Sequence, residues 1–443
     1  GAVGIGALVV AGVVGWSMAS RPAPGSAPLG MGAAGPDRLV VLPFENQTGQ
    51  TEDDWLAGAF SDAVSAGLQP VASLILVPRE RVVELYAGES RRESQSLSSE
   101  LARQISRQLK VRYYVHGSYQ RVGEDLRVII RLVDVESDAI QFQDNVTDRH
   151  ANVLALEDRV ASRLAARLGT SELPTRTGST SDLTAHQWFT EARGLYAESH
   201  VALARQLLER AVARDPNYAE AWALLSKVYS RLAAPGFAGS TGALTSARPA
   251  LDAATTARQL APGLVDGQLA LALAYRGLQD RARMREAAER VVALSPNNGE
   301  AWIILGDFFS VSPGFSCSVD AQPEIAEARY REGLRVDPLF FIGYSNLITH
   351  LWWMNNPVGA VAVSDLGLAA VPHDAGLRTW RPFNLLYADR VAESEALLRQ
   401  ADGGSPQLQD RDVFIRAMAA LKGGAFGNQQ GFAEYLRAFS RQS

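Results

Sequence analysis

Residues 216–229, PNYAEAWALLSKVY, and 296–309, PNNGEAWIILGDFF, decide the fold. In each, a tryptophan stands six residues after a proline and is followed by Leu, a small residue and an aromatic: Trp222, Leu225, Ser226, Tyr229, then Trp302, Leu305, Gly306, Phe309. Leu271, Ala272 and Tyr275 repeat part of this pattern, and Trp188 opens a more degenerate copy. These spacings put the apolar residues on one face of a helix. A second pattern, small-x3-large-x2-small-x4-Pro, follows each copy. Ala204, Leu208, Ala211 and Pro216 fit it, as do Ala250, Ala254, Ala257 and Pro262, and Ala326, Tyr330, Gly333 and Pro338. Met284, Ala288, Val291 and Pro296 keep the spacing, followed by Ala360, Ser364, Gly367 and Pro372, and by Ser394, Leu398, Ala401 and Pro406. The closing prolines are 46, 34, 42, 34 and 34 residues apart, so three intervals share one period and two exceed it, by 12 and by 8.

A 34-residue unit of two helices with these residues at these places resembles the tetratricopeptide repeat (TPR). The resemblance covers residues 183–406 as six repeats, with 407–443 expected to cap the array as two further helices. Each unit buries its apolar face only against the next, which implies a right-handed superhelix whose groove is lined by the first helices. The two long intervals locate insertions at 233–248 and 310–323, between the helices of their repeats, each carrying Pro-Gly-Phe. Phe237 and Phe315 are therefore candidates for contact with a partner, and Cys317, in the second loop, reads as an inert thiol. Trp352, Trp353 and Trp380 are further candidates, because adjacent tryptophans on a helix cannot both face one core.

Upstream, 39–44 (LVVLPF) reads as a buried strand, 54–68 as a helix, 73–77 as a strand and 97–109 as a helix. Three strands at 112–121, 125–135 and 140–147, the first two joined by Val122-Gly123-Glu124, precede a helix at 152–168. The order predicts an α+β sheet domain covered by helices. The motif VVLPFEN with its Trp-containing helix, together with QLKVRYYVHGSYQRVGEDLRVIIRLVDVES, resembles the TolB N-terminal-like domain over residues 38–170. That family supplies no catalytic residue. In bacteria it often stands between a membrane span and TPR repeats, in receptor-type serine/threonine kinases and adenylyl cyclases. The resemblance implies a periplasmic interaction or sensing module.

Residues 1–20 are uncharged and long enough to cross a hydrocarbon core of about 30 Å. Trp16 suits the interface, and Ala7, Ala11, Gly15 and Ala19 form a small-residue face on which another membrane helix can pack. A cleaved signal peptide is the competing reading, since Ser17-Met18-Ala19 fits a cleavage triplet. Residues 21–37 are a Pro/Gly linker, and 171–182 form a second linker. Gly30, Gly32 and Gly35 match a dinucleotide fingerprint in spacing only, because they precede the first strand instead of joining strand to helix.

Composition bounds the function. An apolar fraction of 47% with 21% charged residues excludes wholesale disorder, and a net charge of −5 gives no basic field for nucleic acid. One cysteine excludes intrachain disulfides and Cys-rich zinc sites, and the six histidines show no metal-ligand spacing. Catalytic signatures of the P-loop, HExxH, GxSxG or kinase type do not occur. No catalytic, cofactor-binding or metal residue is therefore expected. The carboxylates read as solvated helix faces paired with arginines. The expectation is a non-enzymatic, single-pass protein of a bacterial inner membrane. Its periplasmic part would bind the protein subunits of a membrane complex, photosynthetic or respiratory. The alternative is the extracytoplasmic sensor region of a receptor-type kinase or cyclase.

Overall fold

The computed structural model describes residues 37–69, 71, 73–83, 99–169, 178–233, 240–310, 321–372 and 374–401. Residues 1–36, with the expected span and its packing face, lie outside these, as do Phe237, Phe315, Cys317 and the expected caps at 407–443.

The first unit is a mixed sheet. Strand β1 (Asp37–Val41) pairs in parallel with β3 (Leu74–Leu76) and with β4 (Tyr113–Val122); β2 (Glu45–Asn46) also pairs with β4. From β4 the sheet continues antiparallel through β5 (Asp125–Asp134) to β6 (Ile140–Arg149). Gly123 turns the β4–β5 hairpin at φ +66°, a conformation that favours glycine. Alternation along β1 sends Leu39 and Val41 to one core and Val40 and Leu42 to another. The first core is closed by α1 (Leu56–Leu68) and α3 (Val153–Arg167), through Phe60, Val64, Val160 and Leu164. The second is closed by α2 (Ser99–Gln108), where Leu101 and Ile105 face inward with Leu109 just beyond, and by Val82 from the helical residues 79–83. The two-residue strand β2 escaped the sequence pattern, being too short to show a period.

Twelve described helices follow as six antiparallel pairs. They are α4 (Leu183–Ala197) with α5 (Val201–Arg214), α6 (Ala219–Ala233) with α7 (Ser240–Leu260), and α8 (Val265–Gly277) with α9 (Arg281–Leu294). Then come α10 (Gly299–Phe309) with α11 (Pro323–Val336), α12 (Phe341–Trp353) with α13 (Pro357–Ala370), and α14 (Ala375–Tyr387) with α15 (Val391–Ala401). This is the TPR solenoid the spacing predicts. The small and large positions of the second-helix pattern are buried throughout the first five pairs, and Ser394 is buried in the sixth.

Two devices set the turns. In the repeats without an insertion, the first helix passes to the second through one left-handed residue: Ser199, Gln279, Asn355 and Asp389, at φ 68°, 60°, 53° and 59°. None is glycine, so the sequence gives no sign of these turns. At four of the junctions between repeats, the closing proline offers its carbonyl to a donor six residues on. The indole N–H groups of Trp222 and Trp302 bond to the carbonyls of Pro216 and Pro296 at 2.9 and 2.8 Å. Gln268 Nε2 and the Tyr344 hydroxyl do the same for Pro262 and Pro338 at 3.2 and 3.0 Å.

One expectation needs correction. The insertion at 233–248 is not all loop: α7 begins at Ser240 and runs 21 residues, against 14 for α5. Pro249 lies inside it. A proline in a helix costs the i−4 hydrogen bond, and for that reason the helix start reads as later in the sequence.

Packing complementarity inside the fourth repeat is testable. A Cβ at Gly306 would come within 2.5 Å of the buried Tyr330 ring. Gly306→Val is expected to lower the unfolding free energy by at least about 1–3 kcal/mol through overpacking. Gly263→Ala, where a Cβ meets nothing within 4 Å, should change it by less than about 0.5 kcal/mol. Urea denaturation of both variants measures the difference.

Candidate functional site

The first helices of a TPR array usually present their surface to a partner. Here that edge faces the chain's own sheet domain. At the first repeat, His186 Nε2 lies 3.0 Å from Glu157 of α3 and its Nδ1 3.2 Å from the Tyr218 hydroxyl, all buried, while Trp55 meets the imidazole edge-on. Farther along, Asn297 donates to the Leu74 carbonyl at 3.2 Å and Arg38 to the Val336 carbonyl at 3.2 Å. Arg81 stands 3.5 Å from Asp337 and 4.7 Å above the Phe340 ring. Leu339 enters the sheet's second core, with Val371 packed against it.

Between these two contact zones lies a cleft with about 110 Å³ of internal space. Asp62, Ser65 and Glu80 line it from the sheet domain; Thr190, Arg193, Glu220, Lys227 and Asp266 line it from α4, α6 and α8. Phe189, Leu224 and Leu264 supply apolar walls. Lys227 Nζ bonds Asp266 at 2.9 Å. That ammonium, together with Arg193, holds the Asp266 carboxyl down at about 2 against the opposing effect of burial. Burial lowers the Lys227 ammonium, but Asp266, Glu300 and Glu80 outweigh it and the net shift is upward. Asp62 raises Arg193 and also takes a hydrogen bond from Arg79. Burial pushes Glu80 up, but Arg193, Lys227 and Arg81 carry it below the usual carboxylate range. Burial leaves Glu300 above that range. The cleft therefore holds fixed charges of both signs beside an apolar wall.

The structure treats the sequence candidates unevenly. Trp352 is half-buried and packs edge-on against Trp380 and Phe383, with centroids 5.9 and 5.0 Å away. Trp353 turns outward and is 57% exposed, beside Met354 at 41% and Val358 at 73%, which makes an apolar surface on repeat five. Trp380 is 39% exposed. Phe237, Phe315 and the helix face Ala7, Ala11, Gly15, Ala19 with Trp16 are outside the described residues. The cleft residues were missed because a charge on an amphipathic helix reads as solvated, and they come from segments far apart in the chain. The one sequence signal is Lys227, a lysine in a chain whose basic residues are nearly all arginine.

Among the described residues no group of three or more His, Cys, Asp or Glu is arranged to hold a metal ion. No helix among them is long and apolar enough to cross a membrane.

No family model matches the chain. A protein of Rhizobium meliloti (strain 1021) named "Putative adenylate cyclase 3" is 25% identical over 197 residues, which make up 42% of this chain and 32% of that protein. Less than two thirds of that relative is thus spanned. A thermophilic TPR protein of Thermus thermophilus is similar in fold at 19% identity, covering 46% of this chain and 99% of that one, with a TM-score of 0.39. A tetratricopeptide repeat protein of Parabacteroides merdae, at 12% identity, covers 58% and 93% with a TM-score of 0.38. Pseudomonas aeruginosa pilF, at 15% identity, covers 51% and 96% with a TM-score of 0.37. The class of the described chain follows from its own helix pairs and closing prolines: a TPR solenoid carrying a small sheet domain.

The junction is open to test through Arg81 and Asp337, both buried. Burial already raises the Asp337 carboxyl, and Arg81 opposes that shift. In Arg81→Ala the carboxylate is left buried without this partner, at an expected cost of about 3–5 kcal/mol at neutral pH. A folded-state pKa above the unfolded value makes this deficit shrink as pH falls through it. Thermal unfolding at pH 7 and pH 5 should therefore show a smaller gap from wild type at pH 5.

Proposed function

We propose that this protein is a membrane-anchored scaffold that binds partner proteins through its TPR solenoid. The observation that carries this reading is the division of the repeat surface. The first-helix edge is engaged by the chain's own sheet domain, while repeat five exposes Trp353, Met354 and Val358 and repeat six exposes Trp380, which packs on Trp352. Exposed large aromatics are among the residues that dominate protein interfaces. In this reading residues 1–20 are the anchor, packing through Ala7, Ala11, Gly15 and Ala19 with Trp16 at the interface. The TolB-like domain and the repeats stand on the periplasmic side, and Phe237 and Phe315 add contacts from the inserted loops. The partners are subunits of a membrane complex, and the described portion contributes binding, not catalysis.

A second reading is favoured by the similarity to a protein named as an adenylate cyclase. In it the sheet domain and repeats form the extracytoplasmic sensor region of a cyclase or receptor kinase. The genomic reading frame around this sequence separates the two: a continuous cyclase or kinase domain sinks the first, and its absence sinks the second.

Mild-detergent purification with mass spectrometry tests the scaffold directly. It is expected to recover membrane-protein partners in fixed ratio. Trp353→Ala with Trp380→Ala should reduce that recovery at least about tenfold, the effect of losing two interface anchors, while thermal unfolding shifts by only a few degrees. Recovery of the protein alone, or of the same partners with the double variant, counts against it.

A further inference from the structure

We propose that the cleft between the sheet domain and the first three repeats binds a small organic cation, an alkylammonium or guanidinium compound. Four carboxylates line it, Asp62, Glu80, Glu220 and Asp266, against two cationic side chains, Arg193 and Lys227. His186, also in the wall, is engaged by Glu157 and Tyr218. Asp266 bonds Lys227, and Asp62 takes Arg79 with Arg193 at 3.9 Å. Glu80 meets no cation at ion-pair distance among the described residues; it is held by longer-range attraction to Arg193, Lys227 and Arg81 and by a hydrogen bond from its own backbone N–H. A ligand cation supplies the close partner that Glu80 lacks.

An independent feature points to a ligand. Thr190 is 2% exposed and lines the same cleft, and its hydroxyl has no hydrogen-bond partner among the described residues. A buried hydroxyl without a partner is costly unless something else satisfies it. A Cβ on Gly58 would come 3.1 Å from the Thr190 methyl, so the methyl is already packed against α1. The hydroxyl is then the group left for an N–H donor. Phe189, Leu224 and Leu264 give an alkyl chain an apolar wall. Both halves of the site come from different domains, so occupancy would tighten the junction between them.

Isothermal titration calorimetry of the full chain with putrescine and with agmatine tests this, with glutarate as the charge-reversed control. The expected result is one site per chain for at least one of the amines and none for glutarate. Glu80→Gln should weaken binding by about tenfold or more, the loss of a charge-assisted hydrogen bond. Thr190→Val should weaken binding several-fold and yet raise the melting temperature of the ligand-free protein, since it deletes an unpaired hydroxyl at nearly constant shape. That opposition is not expected of a residue that only packs. Circular dichroism checks that Glu80→Gln is folded; should it not fold, Thr190→Val alone decides. No heat from either amine at millimolar concentration, glutarate binding in their place, or unchanged affinity in the folded variants would overturn the proposal.

Discussion

The carbonyls of four closing prolines, Pro216, Pro262, Pro296 and Pro338, are the points on which the solenoid turns. A backbone carbonyl next to a helix end needs a donor, and the proline ring blocks continuation of the helix that would have supplied one. The next repeat supplies it from its own first turns: Trp222, Gln268, Trp302 and Tyr344 occupy one register position and bond to Pro216, Pro262, Pro296 and Pro338. Three unlike side chains thus perform one task. The bond fixes how each hairpin follows the last, and stacking of small residues against large ones then fills the interior. Gly306 faces Tyr330 in the fourth repeat, while the same two positions in the fifth hold Ile348 and Ser364. The sizes exchange and the fit is kept.

Because that turn recurs, the loops entering the first helices come out along one edge. Asn297, Leu339 and Val371 belong to such loops, Val336 ends the helix before one, and all four meet the sheet domain. The sheet in turn needs them. Helices α1 and α3 cover its first face; among the described residues α2 and residues near 79–83 cover the other, and Leu339 joins that core. Each unit thus buries apolar surface that the other leaves open. A charged cleft is left between the sheet domain and the first three repeats, and Trp353 and Trp380 stay exposed on repeats five and six.

Much of this was legible in the residues. The 34-residue spacing of prolines, the small-large-small pattern, the apolar run of β1 and the alternation in β5 each report a pattern that burial imposes on the chain, and helices and strands stand where those patterns lie. The left-handed turns at Ser199, Gln279, Asn355 and Asp389 were not legible, because none carries the glycine that marks such a turn. Nor was the early start of α7, since Pro249 reads as a break.

The sequence by itself determined the repeat, its register and the existence of a separate sheet domain, because each depends on contacts between residues close in the chain. Only the tertiary structure decided that the sheet domain sits along the first-helix edge. It alone gathered Glu80, Thr190, Arg193, Lys227 and Asp266 around one cleft. Those residues come from four segments whose separations carry no period. A lone charge on an amphipathic helix looks the same whether it meets water or another domain. What distinguishes them is the low-dielectric space created when two units pack, and that space exists only after folding.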